Sequence, residues 1–255
     1  MVVWLAGGAG VLGLLGGSFL NLVAQRVPHR EAIMRSGPCC PGCSARVALG
    51  DRVPIVSWLV MGRRCRSCQQ PIPARYPLVE LATAGLFVAG ALRFGADPAL
   101  PAYLVFFAAL VTVAAVDLEH RIVPNRVVYP ALAAGGVLLV AATLAQGPFT
   151  RLAYAALGGT ASFAAILVLN LISPRLMGMG DVRLAGLIGI FLGWLGLAQV
   201  LVALFLGFLL GAVVGVVLAI RGPNHNPSVP FAPFLAAGAV LTVLWGNSLV
   251  HLLLG

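Results

Sequence analysis

Two aspartates interrupt otherwise apolar segments of the chain. Asp117 follows the apolar run from Leu100 to Val116, and Asp181 precedes the run from Val182 to Ile190, directly after Gly178-Met179-Gly180. A carboxylate at bilayer depth costs about 2.5 to 3.5 kcal/mol on insertion scales, so an ionisable residue there points to a function. Two carboxylates in contact share one proton, and such a pair can act as general acid and general base. We therefore expect Asp117 and Asp181 to be catalytic.

Each aspartate also has a structural interpretation. Asp117 could end a helix at the membrane interface, and Asp181 could cap the free N–H groups of a helix N-terminus. Chemistry is favoured because both acids fall at the same membrane face in a chain with seven acidic residues. Gly178 and Gly180 allow close approach of a second segment, and Pro124 ends the helical pattern after Asp117. Irregular backbone at this depth needs protein or water around it, which implies a water-accessible cleft.

The helix macrodipole suggests separate roles for the two acids. Asp181 is expected at a helix N-terminus, which favours its anion, and Asp117 at a C-terminus, which disfavours its anion. The pattern therefore predicts that Asp181 is the initial base and Asp117 the initial acid.

Three further ionisable residues accompany the predicted spans. Glu119 and His120 could join Asp117 as metal ligands or a proton relay, although a polar cap at the interface is the more ordinary interpretation. Glu80 lies inside an apolar segment and is expected either to pair with Arg75 or to contribute to a polar pocket.

Five cysteines lie in the only long hydrophilic segment, from Ala24 to Tyr76. Four of them form Cys40-Pro41-Gly42-Cys43 and Cys65-Arg66-Ser67-Cys68, two short pairs whose thiolates can surround one zinc ion. Disulfides are the alternative if the segment is extracellular, whereas metal binding is favoured in the reducing cytosol. We predict a structural zinc without an open position for water. Its predicted ligands are Cys40, Cys43, Cys65 and Cys68, with Cys39 as the alternative to Cys40.

The composition places these residues in a membrane protein. The chain has 255 residues, of which 60% are hydrophobic and 9% charged, and this is too apolar for a water-soluble domain of the same size. A transmembrane helix needs about 20 apolar residues. The sequence predicts an all-α polytopic membrane protein with about eight spans, approximately Trp4 to Val23, Pro77 to Leu92, Leu100 to Val116, Val127 to Ala145, Leu152 to Ile172, Leu184 to Trp194, Ala198 to Ile220 and Phe234 to Leu254. The sixth and seventh spans are separated near Gly193-Trp194-Leu195-Gly196.

All sixteen basic residues are arginines, and they sort by loop. With the N-terminus outside, fourteen lie on the cytoplasmic side and two outside, Arg93 and Arg151, as the positive-inside rule requires. Both aspartates and the cysteines then face the cytoplasm, and the basic excess describes topology rather than a nucleic-acid partner. The predicted parts are a first transmembrane helix in residues 1–23, a four-cysteine zinc module in 24–76, and a seven-helix transmembrane core with both aspartates in 77–255.

At these residues the chain resembles the prepilin leader peptidases, which are membrane aspartyl proteases with a GxGD motif. The resemblance covers nearly the whole length of the chain, and the matching segments follow one another in the order of the family. They are Gly17-Ser18-Phe19-Leu20-Asn21 with Arg26-Val27-Pro28, the four-cysteine loop, Asp51-Arg52-Val53-Pro54 with Ser57-Trp58, Arg75-Tyr76-Pro77-Leu78-Val79-Glu80, the segment from Val116 to Asn125, Gly178-Met179-Gly180-Asp181-Val182-Arg183, and Val229-Pro230-Phe231-Ala232-Pro233-Phe234.

The resemblance implies an aspartic endopeptidase of the bacterial cytoplasmic (inner) membrane. It would remove basic leaders from type IV prepilins or pseudopilins, cutting after a Gly at the cytoplasmic face. The enzyme itself would be in contact with membrane lipids. Asp117 and Asp181 match the catalytic pair of the family. Many members also N-methylate the new terminal residue with S-adenosylmethionine, so this cofactor is implied beside zinc, without assigned residues. Ala232 stands where the family usually has Gly, and we expect a small effect.

Two other functions fit parts of the pattern. A proton- or cation-coupled transporter also uses intramembrane acids and helices broken at Gly, but such a protein is expected to show an inverted repeat of hydropathy, and none is visible. A structural assembly component docked through its zinc loop leaves both aspartates unexplained.

Overall fold

The computed structural model describes residues 2–28, 43, 55–173, 177–220 and 230–254. The described residues form α-helices and connecting turns, so the predicted all-α fold is confirmed. The helices are α1 (Val2–Arg26), α2 (Val56–Val60), α3 (Arg75–Phe94), α4 (Leu100–His120), α5 (Asn125–Gln146), α6 (Thr150–Ile172), α7 (Met179–Leu195), α8 (Leu197–Ile220) and α9 (Ala232–Leu254).

Seven of these helices are long and apolar enough to cross a membrane, namely all except α2 and α7. The sixth predicted span, Leu184 to Trp194, lies within α7, which is apolar but has only 17 residues. The predicted break after it is also confirmed. The backbone of Gly196 has φ 153 and ψ 156, which ends α7, and α8 begins at the next residue. This region of φ is open to Gly because it has no β-carbon.

The chain divides into two compact units, Met1–Ala96 and Asp97–Gly255. The first unit therefore contains α1 to α3, and the second contains α4 to α9 with both predicted catalytic aspartates. The division into residues 1–23, 24–76 and 77–255 stays a prediction.

In the first unit, α1 and α3 pack as a closely spaced antiparallel pair. A β-carbon on Gly13 would lie 2.6 Å from the Cα atom of Ala84, and one on Gly17 would lie 2.6 Å from the Cα atom of Glu80. Small residues let two backbones approach in a membrane, where helix association depends on packing rather than on the hydrophobic effect. The absence of side chains at these glycines therefore sets the register of the pair.

A short hydrogen-bonded turn carries Cys65 and Cys68 in the same unit. Two backbone hydrogen bonds join the segment before the turn to the segment after it. The Ile72 N–H donates to the Arg63 carbonyl at 2.7 Å, and the Cys65 N–H donates to the Gln70 carbonyl at 3.0 Å. The α2 helix is attached to this turn, because the Trp58 indole N–H donates to the Ile72 carbonyl at 3.1 Å. Backbone pairing and α2 therefore hold the two thiols in place.

In the second unit, aromatic side chains join α4 to α7. The rings of Phe106 and Phe191 stack with their centroids 4.4 Å apart, and the Tyr103 hydroxyl donates to the Phe191 carbonyl at 2.8 Å. All three side chains are fully buried. The opposite side of α7 packs on α6 through glycine, since a β-carbon on Gly158 would lie 2.5 Å from the Gly189 carbonyl oxygen. These contacts fix the position of α7, whose first turn contains Asp181.

Candidate active site

Asp117 lies in the last turn of α4 rather than after its end. The helix continues to His120 and stops at Arg121, whose φ of 54 and ψ of 41 place it in the left-handed region. The side chain of Asp117 is buried, with 5% exposure. Its Oδ2 atom accepts a hydrogen bond from the backbone N–H of Ala232 at 3.2 Å, at the N-terminus of α9. The position of this acid therefore depends on a helix that begins 115 residues later.

Asp181 lies in the first turn of α7, ahead of the predicted span that begins at Leu184. Its side chain is buried, with 8% exposure, and its Oδ2 atom accepts the N–H of Gly178 at 3.1 Å. The capping interpretation of Asp181 is therefore correct. It leaves the second carboxylate oxygen available for chemistry, because a carboxylate has about four acceptor positions.

The turn after α4 and the start of α7 bring the two aspartates together. A β-carbon on Gly180 would lie only 2.7 Å from the Cβ atom of Val123, so this glycine permits the contact between the two segments. Near it, the Arg183 guanidinium donates to the Asn125 side-chain oxygen at 2.8 Å, which ties α7 to the start of α5. Two segments more than 50 residues apart in sequence are thereby held side by side.

The negative charge of Asp117 is one of the causes that shift the pKa of Asp181. The pKa of Asp181 is raised from 3.8 to about 6: burial raises it most, the N–H of Gly178 offsets part of that effect, and the negative charge of Asp117 adds to it. Desolvation and a neighbouring like charge both disfavour the ionised form of a carboxyl group. Asp181 therefore holds its proton at a pH at which an exposed aspartate has lost it.

The helix dipoles that predict separate roles for the two acids include one that lies outside their own helices. Asp181 does lie at a helix N-terminus, but Asp117 also meets one, because it accepts the first N–H of α9. The positive end of a helix dipole favours an anion in both cases. Asp117 also lies in the last turn of α4, so it experiences two opposed helix dipoles, and the separate roles of the two acids stay a prediction.

The α9 N-terminus is a part of the site that sequence reasoning did not find. Only a departure from the family pattern drew attention to Ala232, and its side chain was expected to matter little. In the structure Ala232 is fully buried and contributes its backbone N–H. Glu119 and His120 are exposed, and their side chains approach to 3.8 Å, which agrees with a polar cap.

Three of the four predicted zinc ligands lie together in the first unit. The Sγ atoms of Cys43, Cys65 and Cys68 all lie within 4.8 Å of one another, and those of Cys43 and Cys65 are 4.0 Å apart. Tetrahedral zinc with Zn–S bonds of about 2.3 Å separates its sulfur ligands by about 3.8 Å. The three thiols therefore fit one zinc ion. Cys40 and its alternative, Cys39, lie outside the described residues.

An all-α polytopic chain with two buried and interacting aspartates at helix ends has the features of a membrane aspartic peptidase. Comparison with protein families places the chain more narrowly. Residues 11–94 match a family described as the bacterial peptidase A24 N-terminal domain, and residues 104–216 match the type IV leader peptidase family. The second match contains both aspartates.

Similar proteins carry one common name, prepilin leader peptidase/N-methyltransferase. The protein from Bacillus subtilis is 33% identical over 94% of each chain, and the one from Aeromonas hydrophila is 32% identical over 93% of this chain and 90% of its own. The Myxococcus xanthus protein is 36% identical over 92% of this chain and 70% of its own. No solved structure matches the chain. The chain belongs to the type IV leader peptidase family.

The contact between Gly180 and Val123 predicts an asymmetry between the two glycines before Asp181. Replacing Gly180 with Ala should lower the free energy of unfolding by about 1 to 3 kcal/mol, because a β-carbon there displaces Val123 or the α7 N-terminus. Gly178→Ala is the matched control, since the nearest atom to its β-carbon would be the Asp181 Oδ2 atom at 3.8 Å. Thermal unfolding in detergent measures both, and equal midpoints for the two variants would contradict this packing.

The raised pKa of Asp181 predicts how stability depends on pH. Between about pH 4 and pH 6 the unfolded chain releases this proton while the folded chain keeps it, so the wild type should lose stability relative to Asp181→Asn as the pH rises. Below pH 4 and above about pH 6 the difference should be constant. Chemical unfolding of both proteins across this range checks the sign. A difference that grows in favour of the wild type would show that the folded state favours the anion.

Proposed function

We propose that the chain is an aspartic endopeptidase that removes the basic leader from type IV prepilins or pseudopilins, cutting after a Gly. One observation supports this most strongly: two buried aspartates, each accepting a helix N-terminal N–H, lie within one another's electrostatic field. Both belong to the segment that matches the leader peptidase family. The names of the relatives supply the substrate class.

In the proposed mechanism, Asp117 and Asp181 share one proton. The ionised carboxylate takes a proton from a water molecule, whose oxygen bonds to the carbonyl carbon of the scissile peptide. The protonated carboxyl donates to the carbonyl oxygen at the same time. As the C–N bond of the tetrahedral intermediate breaks, the proton taken from water passes to the departing amine, and a hydroxyl of the intermediate returns a proton to the carboxylate that had donated one. The pair returns to its singly protonated state.

The proposed setting is a bacterial inner membrane, with the N-terminus outside and the active site facing the cytoplasm. Fourteen of the sixteen arginines lie on the cytoplasmic side in this orientation, which favours it over the reverse. Membrane lipids are then permanent neighbours of the apolar helix faces. A prepilin anchored in the same membrane would present its leader at the face where Asp117 and Asp181 are expected.

We further propose that the enzyme N-methylates the amino group released by cleavage, as the names of its relatives indicate. S-adenosylmethionine would supply the methyl group, and we assign no residues to it. The peptidase-family match begins at residue 104, so the separately matched segment 11–94 is the candidate region for this second activity.

The proposed metal is a structural zinc bound by Cys43, Cys65, Cys68 and Cys40. The separations of the first three thiols support it, and the cytoplasmic orientation keeps them reduced. Four thiolates leave no position for a metal-bound water, so zinc would stabilise the fold of the segment rather than take part in peptide cleavage.

Transport is not favoured as the function. The segment that contains both acids matches a peptidase family, and nearly the whole chain aligns with proteins named as peptidases.

Single substitutions of the aspartates test the peptidase. Asp117→Asn and Asp181→Asn should each lower prepilin cleavage by at least about 100-fold, because each variant removes one half of the acid–base pair. Glu119→Gln is the control, since it removes an exposed acid two residues from Asp117 and should cleave at about the wild-type rate. Mass spectrometry of the product locates the cut and reports a methyl group on its first residue. Normal cleavage by either Asn variant would exclude that aspartate from the chemistry.

Cysteine substitutions test the metal. Cys68→Ser should lose zinc from the purified protein, because three thiolates hold the ion less tightly than four. Cys39→Ser should retain one zinc per chain if Cys40 is the fourth ligand, and Cys40→Ser should lose it. Elemental analysis of the four proteins gives the stoichiometry, and a full zinc content in Cys68→Ser would refute the site.

A further inference from the structure

Glu80 is a buried acid in the first unit that peptide cleavage does not use. It lies in α3, one and a half turns from the helix start, and its side chain has 8% exposure. Its Oε1 atom accepts the hydroxyl of Ser18 in α1 at 2.5 Å, and its Oε2 atom accepts the backbone N–H of Ile55 at 2.8 Å. Of the two alternatives predicted for Glu80, these bonds correspond to the polar pocket. One carboxylate therefore connects α1, α3 and the residue that precedes α2.

The packing of α1 on α3 is adapted to this acid. Gly17 precedes Ser18, and a β-carbon on it would lie 2.6 Å from the Cα atom of Glu80. The glycine thus lets the α1 backbone reach the base of the Glu80 side chain, which brings the Ser18 hydroxyl to its carboxylate. A buried carboxylate is costly unless hydrogen bonds satisfy its oxygens, and here each oxygen has one.

Ile55 has a backbone conformation that needs external support. Its φ is 61 and its ψ is −51, in a region where a β-branched residue is a genuine outlier. Such a conformation costs about 1 to 3 kcal/mol and persists only when its surroundings impose it. The Ile55 N–H is bonded to Glu80, and the Ile55 carbonyl accepts the N–H of Leu59 at 3.1 Å within the first turn of α2. Glu80 therefore holds the strained residue from which α2 starts.

From α2 a continuous chain of hydrogen bonds leads to the cysteines. The Arg63 N–H donates to the Trp58 carbonyl at 3.0 Å, and the Trp58 indole donates to the Ile72 carbonyl at 3.1 Å. The Ile72 N–H returns to the Arg63 carbonyl, and the next pair along the turn joins Cys65 to Gln70. Displacement of α2 would therefore displace the turn that contains Cys65 and Cys68.

We propose that Glu80 is a positioning residue for the thiol cluster that contains Cys65 and Cys68. It fixes α2 against the α1–α3 pair, and through α2 it fixes the turn that contains these two cysteines. The expected effect of Glu80 on zinc affinity rests on the zinc site of the proposed function. The expected effect of Glu80 on the order of the backbone in residues 55–72 does not depend on zinc. Partners that orient metal ligands from outside the coordination shell typically change metal affinity by about 10- to 100-fold when they are removed.

Three variants separate this role from general damage to α3. Glu80→Leu replaces the acid with an apolar side chain of similar size that accepts no hydrogen bond. Glu80→Gln can keep both bonds, because its amide oxygen can accept from Ile55 while its amide N–H donates to Ser18, whose hydroxyl both donates and accepts. Leu81→Ala is the matched control, since the neighbouring side chain is 53% exposed on the apolar surface of the unit.

The test measures zinc affinity by competition with a chelator on the purified full chain. Glu80→Leu should bind zinc at least about tenfold more weakly than the wild type, whereas Glu80→Gln and Leu81→Ala should stay within about threefold. Equal affinities in the wild type and Glu80→Leu would overturn the proposal, and so would an equally weakened Glu80→Gln.

Amide hydrogen exchange supplies the second measurement and separates the two hypotheses. Glu80→Leu should exchange faster in residues 55–72, with α4 and α7 unchanged as internal references for folding, and Glu80→Gln should match the wild type. If the wild type binds no zinc, the metal site of the proposed function fails while this measurement still tests the role of Glu80. Unchanged exchange in Glu80→Leu would overturn that role.

Discussion

The second unit is organised around one constraint, which is the burial of two carboxyl groups close enough for their negative charges to repel. Each acid loses hydration, and the charge of one opposes ionisation of the other. The structure meets this cost with backbone donors, since Asp117 accepts the first N–H of α9 and Asp181 accepts the N–H of Gly178. Both donors belong to helix N-termini, whose dipoles favour negative charge. An arrangement of this kind favours a singly protonated pair, which is the state that the proposed acid–base catalysis uses.

Packing elsewhere in the second unit serves this arrangement. The α7 helix has only 17 residues, yet it is held on one side by the stacked rings of Phe106 and Phe191 and on the other by glycine contacts with α6. With both sides fixed, the first turn of α7 has a defined position against Val123. The missing β-carbon of Gly180 makes that contact possible, so this glycine matters because it has no side chain and not because its backbone is flexible.

Much of this could be predicted from the sequence, for identifiable reasons. Apolar runs predicted the helical fold, and glycine marked the break at Gly196, because these signals are local. The hydrogen bond between Ala232 and Asp117 could not be predicted, since it joins residues 115 positions apart. The separate roles predicted for the two acids considered only each acid's own helix, whereas Asp117 also accepts an N–H from the start of α9. Glu80 was recognised as unusual, but its partner Ile55 is visible only in three dimensions.

The most direct measurement of the central claim is an infrared titration of the Asp181 carboxyl group in the wild type and in Asp117→Asn. Removing the charge at position 117 should lower the pKa of Asp181 from about 6, while burial keeps it above the ordinary value of 3.8. A shift in this direction would show that the two carboxyl groups share one electrostatic environment. An unchanged pKa of Asp181 in a folded Asp117→Asn protein would contradict the account.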